Sequence, residues 1–370
     1  MRVLVTGGAG FIGSHLADRL LVAGHEVRAF DALDPQVHPD GPPDYLDPNV
    51  ELIIGDVRDD AALGTAMNDV DAVVHLAAAV GVGQSMYEIR RYVDVNSTGC
   101  AVLLEQLVER RDRIQRLVVA SSMSIYGEGQ YTNPATNERG IAPTLRPEAQ
   151  LAERRWEIET ATGQPLAPEP TNEDKPLRPT SVYAVTKRDH EELCLSVGGA
   201  YEVPTLALRL FNVYGPRQAL GNPYTGVAAI FASRLLNGHA PVAFEDGQQT
   251  RDFIHVTDVA RAFHLAIESN ATGAALNVCT GHASSVAGVA HGLARGLNLA
   301  IEPEIVGRYR AGDIRHCIGD PTRAAEMLDF RAEVAVERGL GDLALWLADQ
   351  EADDRVEQAM DELRKRGLER

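Results

Sequence analysis

The chain has little cysteine, no long apolar run and a shortage of positive charge, and each shortage closes off a class of function. Its four cysteines, Cys100, Cys194, Cys279 and Cys317, lie far apart with no Cys-x-x-Cys. That spacing suggests neither a zinc knuckle nor a disulfide framework, and points to a reduced, cytoplasmic protein without a metal centre. No apolar stretch reaches the roughly 18 residues of a membrane span. The opening Met1-Arg2-Val3-Leu4-Val5-Thr6 runs straight into a glycine turn, so no signal peptide is expected. Against 53 Asp and Glu stand 35 Lys and Arg, a net charge of −18. This is the wrong sign for following a polyanionic backbone, and nucleic acid is not an expected partner. An anionic substrate would have to be gripped by a few placed arginines working against the overall field.

With 370 residues, one large α/β domain or two domains sharing a core can form, with a nucleotide-sized pocket between them. The apolar run Val3–Val5 ends in Thr6-Gly7-Gly8-Ala9-Gly10-Phe11-Ile12-Gly13, and a helical pattern follows over Ser14–Ala23. Strand, glycine turn and helix together make a phosphate site: the glycines let backbone approach a pyrophosphate, and the helix N-terminus offers N–H groups and a positive dipole end. The spacing reads either as Gly8-x-Gly10-x-x-Gly13 or as Gly7-x-x-Gly10-x-x-Gly13. A second strand, Glu26–Phe30, ends at Asp31, where a carboxylate would take the adenosine ribose hydroxyls and repel a 2′-phosphate. The expected cofactor is therefore NAD rather than NADP. Leu52–Ile54 predicts a third strand closed by Gly55-Asp56-Val57, with Asp56 placed to accept from an adenine amine. Ala72–His75 predicts a fourth, running into Leu76-Ala77-Ala78-Ala79, where small side chains would let a ring lie against backbone. Further strands are predicted over Arg116–Ala120 and Thr205–Arg209. Strand and helix alternate throughout, which is the pattern of a doubly wound parallel sheet.

The chemistry centres on Ser181-Val-Tyr-Ala-Val-Thr-Lys187. On a helix, Tyr183 and Lys187 project from one face a turn apart, so the ammonium would favour the phenolate and draw its pKa toward neutrality, making a general base. The fifth strand leads into Ser121-Ser122-Met123-Ser124, and a hydroxyl at the C-terminal end of a parallel strand points into the ligand crevice. Ser122 or Ser124 is thus placed to share a substrate proton with Tyr183. Arg251 and Arg310 are candidate phosphate clamps. The helix from Asn96 to about Arg111 is apolar on one face (Val102, Leu103, Leu107) and reads as core or dimer surface. Residues 128–180 break the rhythm and read as an insertion that covers the active site or forms a surface excursion. The tail from Asp349 to Arg370 reads as a solvated amphipathic helix.

With Thr6-Gly7-x-x-Gly10-x-x-Gly13 and Tyr183-x-x-x-Lys187 in one chain, the sequence resembles the extended short-chain dehydrogenases/reductases, and within them the nucleotide-sugar epimerases and dehydratases. The resemblance runs from the glycine turn to Arg310-x-Gly312-Asp313 and favours the Gly7, Gly10, Gly13 reading. It implies a Rossmann-type NAD-binding domain over 1–210, to which about 252–272 returns, and a smaller, mainly substrate-binding region over 211–370. It implies Tyr183 as acid/base, Lys187 on the nicotinamide ribose and Ser122 on the sugar 4-hydroxyl. The cofactor would further touch Phe11, Ile12, Val57, Leu76, Ala77 and Ala78, with Asn96 just behind. Ser124, Asn212, Arg217, Tyr224, Val227, Arg251, Arg310 and Asp313 would meet a UDP- or dTDP-hexose.

Family members that dehydrate carry an Asp-Glu pair after the serine, and those that decarboxylate carry a Glu. Met123 and Ser124 stand there instead and cannot do acid/base work at neutral pH. What remains is oxidation and re-reduction at C4, a 4-epimerase, within which Asn222–Val227 and Phe244–Gly247 look most like the enzymes acting on deoxysugar nucleotides. A 4-ketosugar reductase using the same three residues, and a non-catalytic dinucleotide sensor, stay open. By analogy with relatives, the Asn96 and Tyr183 helices would pair two copies into a homodimer.

Overall fold

The computed structural model describes all residues 1–370. Seven parallel strands form the central sheet: β1 (Arg2–Thr6), β2 (Glu26–Asp31), β3 (Glu51–Ile54), β4 (Ala72–His75), β5 (Arg116–Ser122), β6 (Thr205–Leu210) and β7 (Ala274–Val278). Their spatial order is β7-β6-β5-β4-β1-β2-β3. The six strands expected from apolar runs are present, within a residue or two at their ends. The seventh, Ala-Ala-Leu-Asn-Val, is too short and mixed to stand out, so the segment returning to the sheet runs on past 272 to Val278. Val3, Leu4 and Val5 of β1 are wholly buried, as a central parallel strand covered on both faces requires.

Two helical layers supply that cover. On one face lie α1 (Phe11–Val22) and α5 (Val256–Glu268), which bring Leu16, Leu20, Val259 and Phe263 to the sheet. On the other lie α2 (Gly99–Glu109) and α3 (Val182–Ala200), which contribute Leu103, Leu107 and Cys194. A separate core joins α4 (Val227–Leu236), α6 (Val286–Gly296) and α7 (Val336–Leu347) through Phe231, Leu293 and Leu343. This smaller region faces the C-terminal edge of the sheet. Helix α8 (Val356–Lys365) closes the chain.

The strand order reverses between β1 and β4, and the loops leaving these two strands meet there. Gly7 has φ +70°, and a Cβ on it would lie 2.9 Å from the Ala77 amide nitrogen. Only glycine allows both that backbone conformation and that approach. Ligand crevices of doubly wound sheets open at this kind of switch point.

Residues 128–180 form a small sheet from Gln130–Asn133, Glu138–Ile141 and Ala167–Glu169 beside a short helix, Glu148–Ala152. Its root is ionic. Arg315, 1% exposed, reaches Glu157 at 2.6 Å, Asp246 at 2.6 Å and Glu245 at 3.0 Å, while Arg146 makes a two-pronged pair with Glu245 at 2.8 and 2.9 Å. The insertion is thereby fastened to the smaller region.

Candidate active site

One cavity of about 890 Å³ runs from the glycine turn to α8. At its first end, Gly7, Gly10, Phe11, Ile12 and Gly13 form the floor, whereas Gly8 packs inward on Ala29. A Cβ at Gly13 would run into the Gly7 carbonyl oxygen. Gly10 caps α1 without a side-chain bond, so the first-turn N–H groups face the cavity and suit a pyrophosphate. Asp31 accepts one backbone bond on each oxygen, from Ala9 at 3.1 Å and Leu33 at 2.9 Å. Its remaining lone pairs suit two ribose hydroxyls. Asp56 and Val57 also line this end, but Arg58 grips the Asp56 carboxylate through its side chain, at 2.5 and 2.9 Å, and holds its pKa down. Leu76, Ala77 and Ala78 complete the small-residue wall. All these features fit a dinucleotide.

Tyr183 and Lys187 come together because Ser181 caps α3, its hydroxyl accepting from the Ala184 amide at 3.1 Å. The phenol thus sits in the first helical turn, where the dipole favours an anion. Lys187 is buried and donates to the Ala120 carbonyl at 3.0 Å. Burial lowers its pKa to about 8. The expected pull of Lys187 on the phenol is not the dominant effect. Burial pushes Tyr183 up to about 12, and the neighbouring Ser122 hydroxyl is the group acting the other way. Ser124 donates its hydroxyl to Ser122 at 2.9 Å, which leaves the Ser122 proton free to point at a ligand.

Asn96 does not line the cavity. It lies wholly buried in a π-helical turn, Val93–Thr98, with its Oδ1 accepting from the Ala79 amide at 2.7 Å. Its Nδ2 donates to the Ala79 carbonyl at 3.1 Å and to Thr186 at 2.9 Å. It ties the loop after β4 to the Tyr183 helix and so positions both. Arg217 also stays outside the cavity: a left-handed backbone (φ +69°) after Gly215-Pro216 turns it to Asp18, 2.8 Å away.

The other end of the cavity receives Asn212, Tyr224, Val227, Arg251, Arg310 and Asp313. Three carbonyls, of Thr250, Ile314 and Arg315, hold the Arg251 guanidinium. Arg310 pairs with Asp313 at 2.8 Å and stacks on Phe244, 4.6 Å from the ring centre. Of residues 128–180 only Thr180 lines the cavity, so the insertion does not cover it. The tail does line it, through Val356, Ala359, Met360, Leu363 and Leu368, and is no solvated appendage. The i, i+3, i+4, i+7 spacing of Val356, Ala359, Met360 and Leu363 was the available signal.

A glycine turn at a switch point, leading to a Ser–Tyr–Lys centre and then to arginines, defines a dinucleotide-dependent enzyme acting on a substrate with an anionic anchor. The sequence pattern of the NAD dependent epimerase/dehydratase family matches residues 3–154 and 157–279. The chain is 34% identical over 353 residues to dTDP-L-rhamnose 4-epimerase of Burkholderia thailandensis, covering 94% of this chain and 95% of that one. It is similar to the crystal structure of Thermotoga maritima UDP-glucose 4-epimerase with UDP-glucose, at 29% identity and a TM-score of 0.77, over 94% of this chain and 99% of that one. The UDP-glucose 4-epimerase of Thermus thermophilus in complex with NAD gives 30% identity and a TM-score of 0.72 over the same shares. The chain belongs to the NAD dependent epimerase/dehydratase family; it is an enzyme of the nucleotide-sugar 4-epimerase group, and NAD is its cofactor. No helix is long and apolar enough to cross a membrane.

Proposed function

We propose that the enzyme inverts C4 of a UDP- or dTDP-hexose through a transient 4-keto sugar. The carrying observation is the state of the acids in the cavity. Its carboxylates are Asp31, Asp34, Asp56 and Asp313. Asp31 sits at the dinucleotide end, and the others are paired with Arg91, Arg58 and Arg310. No acid stands free beside Ser122 and Tyr183 to drive dehydration or decarboxylation.

NAD, held by the glycine turn, Asp31 and Lys187, would supply the hydride acceptor and return the hydride. Tyr183 takes the O4 proton as C4 loses its hydride, and Ser122 steadies the oxygen. Tyr183 returns the proton after the keto sugar has presented its other face. Arg251, Arg310 and the free N–H groups opening α4 hold the diphosphate while the sugar turns. Asp31, whose carboxylate would repel a 2′-phosphate, favours this reading over a reductase that consumes NADPH.

The test is anaerobic incubation of the purified enzyme with UDP- and dTDP-hexoses, without added coenzyme, followed by NMR of the sugar protons. Interconversion of C4 epimers is the expected result. Change only on adding NADH or NADPH, with its consumption, would make the protein a reductase. Tyr183→Phe should lower kcat by roughly 10²–10⁴-fold and leave bound NAD unchanged; retention of most activity would remove Tyr183 as the base.

We further read the chain as a cytoplasmic homodimer. Four buried, unpaired cysteines support a reducing compartment. Exposed Ile89, Val93, Val185 and Leu193, on and beside α3 and the turn before α2, support a pairing face. A monomeric mass in light scattering would overturn the dimer.

A further inference from the structure

Helix α8 is charged on every side but one, and its apolar stripe, Val356, Ala359, Met360 and Leu363, is buried, lining the cavity and packing beside Phe244. The segment is fastened at two places. At one, Tyr309 and Arg370 exchange backbone hydrogen bonds of 2.9 Å each way, and Ala311 donates to Leu368 at 2.9 Å. Glu369, 5% exposed, takes Arg308 and Arg364, each at 3.2 Å. At the other, Arg366 stacks on Tyr87 with its guanidinium 4.2 Å from the ring centre, and Tyr87 donates to Tyr224 at 2.6 Å. The helix therefore bridges the loop after β4 and the segment carrying Arg310.

The side chains it offers contain no hydrogen-bonding group apart from a weakly accepting thioether. Val356 and Met360 cluster with Phe244, the ring on which Arg310 rests. The reacting end of a nucleotide sugar belongs at Ser122 and Tyr183, and its diphosphate at Arg251 and Arg310. The base then falls beyond the arginines, where the apolar group is Phe244, Val356 and Met360. We infer that α8 is the wall of the substrate site that receives the pyrimidine, with Met360 as a residue that sets base specificity. An aromatic ring, a branched aliphatic and a thioether suit a flat base and favour one carrying a methyl group.

This inference rests on the nucleotide-sugar reading, so the experiment measures binding without turnover. Full-length wild type, Met360→Ala and Arg366→Ala are titrated with dTDP and UDP by calorimetry, with bound NAD per chain as the check on folding. Met360→Ala should weaken dTDP roughly tenfold and UDP less. Arg366→Ala, which loosens the anchor without touching the cavity, should weaken both about two- to fivefold. Affinities within twofold of wild type in both variants would overturn the wall while leaving the epimerase reading in place. A larger loss for UDP than for dTDP would overturn Met360 as a methyl-reading residue. Failure of the wild type to bind either diphosphate would sink the wall together with the reading beneath it.

Discussion

The insertion at 128–180 and the tail at 351–370 both stand outside the strand–helix rhythm, and the structure gives them opposite roles. The insertion is long, yet it is held away from the cavity by Arg146, Arg315 and their carboxylates. The tail is short and highly charged, yet its single apolar stripe forms a wall of the site. Length and polarity do not tell where an appended segment lies. The informative feature is the direction of its few apolar side chains, because those must be covered by something.

The largest effect that separates the two segments should come from the ionic root of the insertion. Arg315→Met leaves Glu157, Glu245 and Asp246 short of a cation in a site where Arg315 is nearly inaccessible. Breaking a fully buried pair from one side costs about 3–5 kcal/mol; the exposure of Glu157 and Asp246 and the remaining Arg146–Glu245 pair place the expected loss at the lower end of that range. Urea unfolding should show such a loss, with KM for the nucleotide sugar changed by less than about threefold, because the Arg315 backbone carbonyl, which the substitution leaves in place, is the part of that residue that holds Arg251. A stable variant with a greatly raised KM would put the insertion back at the active site.

What was legible in the sequence was local. Gly7, Gly10, Gly13 and Asp31 belong to one strand–helix–strand unit, and Tyr183 and Lys187 to one helical turn, so spacing along the chain fixes spacing in space. Sites assembled from distant segments were legible only in part. Arg251 and Arg310 do line the cavity, but nothing in their neighbourhoods shows that one is held by three carbonyls and the other lies on Phe244. Arg217 was misplaced because a single left-handed residue redirects its side chain. Asn96, expected just behind the cofactor, does lie behind the cavity wall, but nothing in its neighbourhood shows that a π-helical turn carries it there, under Ala79. The phenol pKa was expected to fall because pairing with Lys187 was weighed without the burial that opposes it.

A smaller difference should appear in acid. His316 and Arg315 hold the Glu157 carboxyl at about 2, below its ordinary 4.5. A depressed folded pKa adds stability above the ordinary value, and that stability is lost as pH falls from 4.5 toward 2. Glu157 is 41% exposed, so solvent screening keeps the effect modest. Hydrogen exchange, corrected for intrinsic rate, should rise in residues 128–180 through this window before it rises in the central sheet. Equal exchange in both would mean that the insertion is held by packing instead of by these ions.

The smallest effect belongs to the tail. Arg366 is exposed and its hold on Tyr87 is a stacking contact, worth about 0.5–1 kcal/mol. Arg366→Ala should leave the urea midpoint close to wild type, while exchange over 356–368 rises and nucleoside diphosphate affinity falls. That pattern is the reverse of the one expected for Arg315→Met, since a wall that meets the ligand needs only enough hold to stay in place, whereas a buried ionic root carries the folding of the segment above it. If Arg366→Ala lowered global stability as far as Arg315→Met, α8 would be part of the folding core, and its lining of the cavity would follow from that packing.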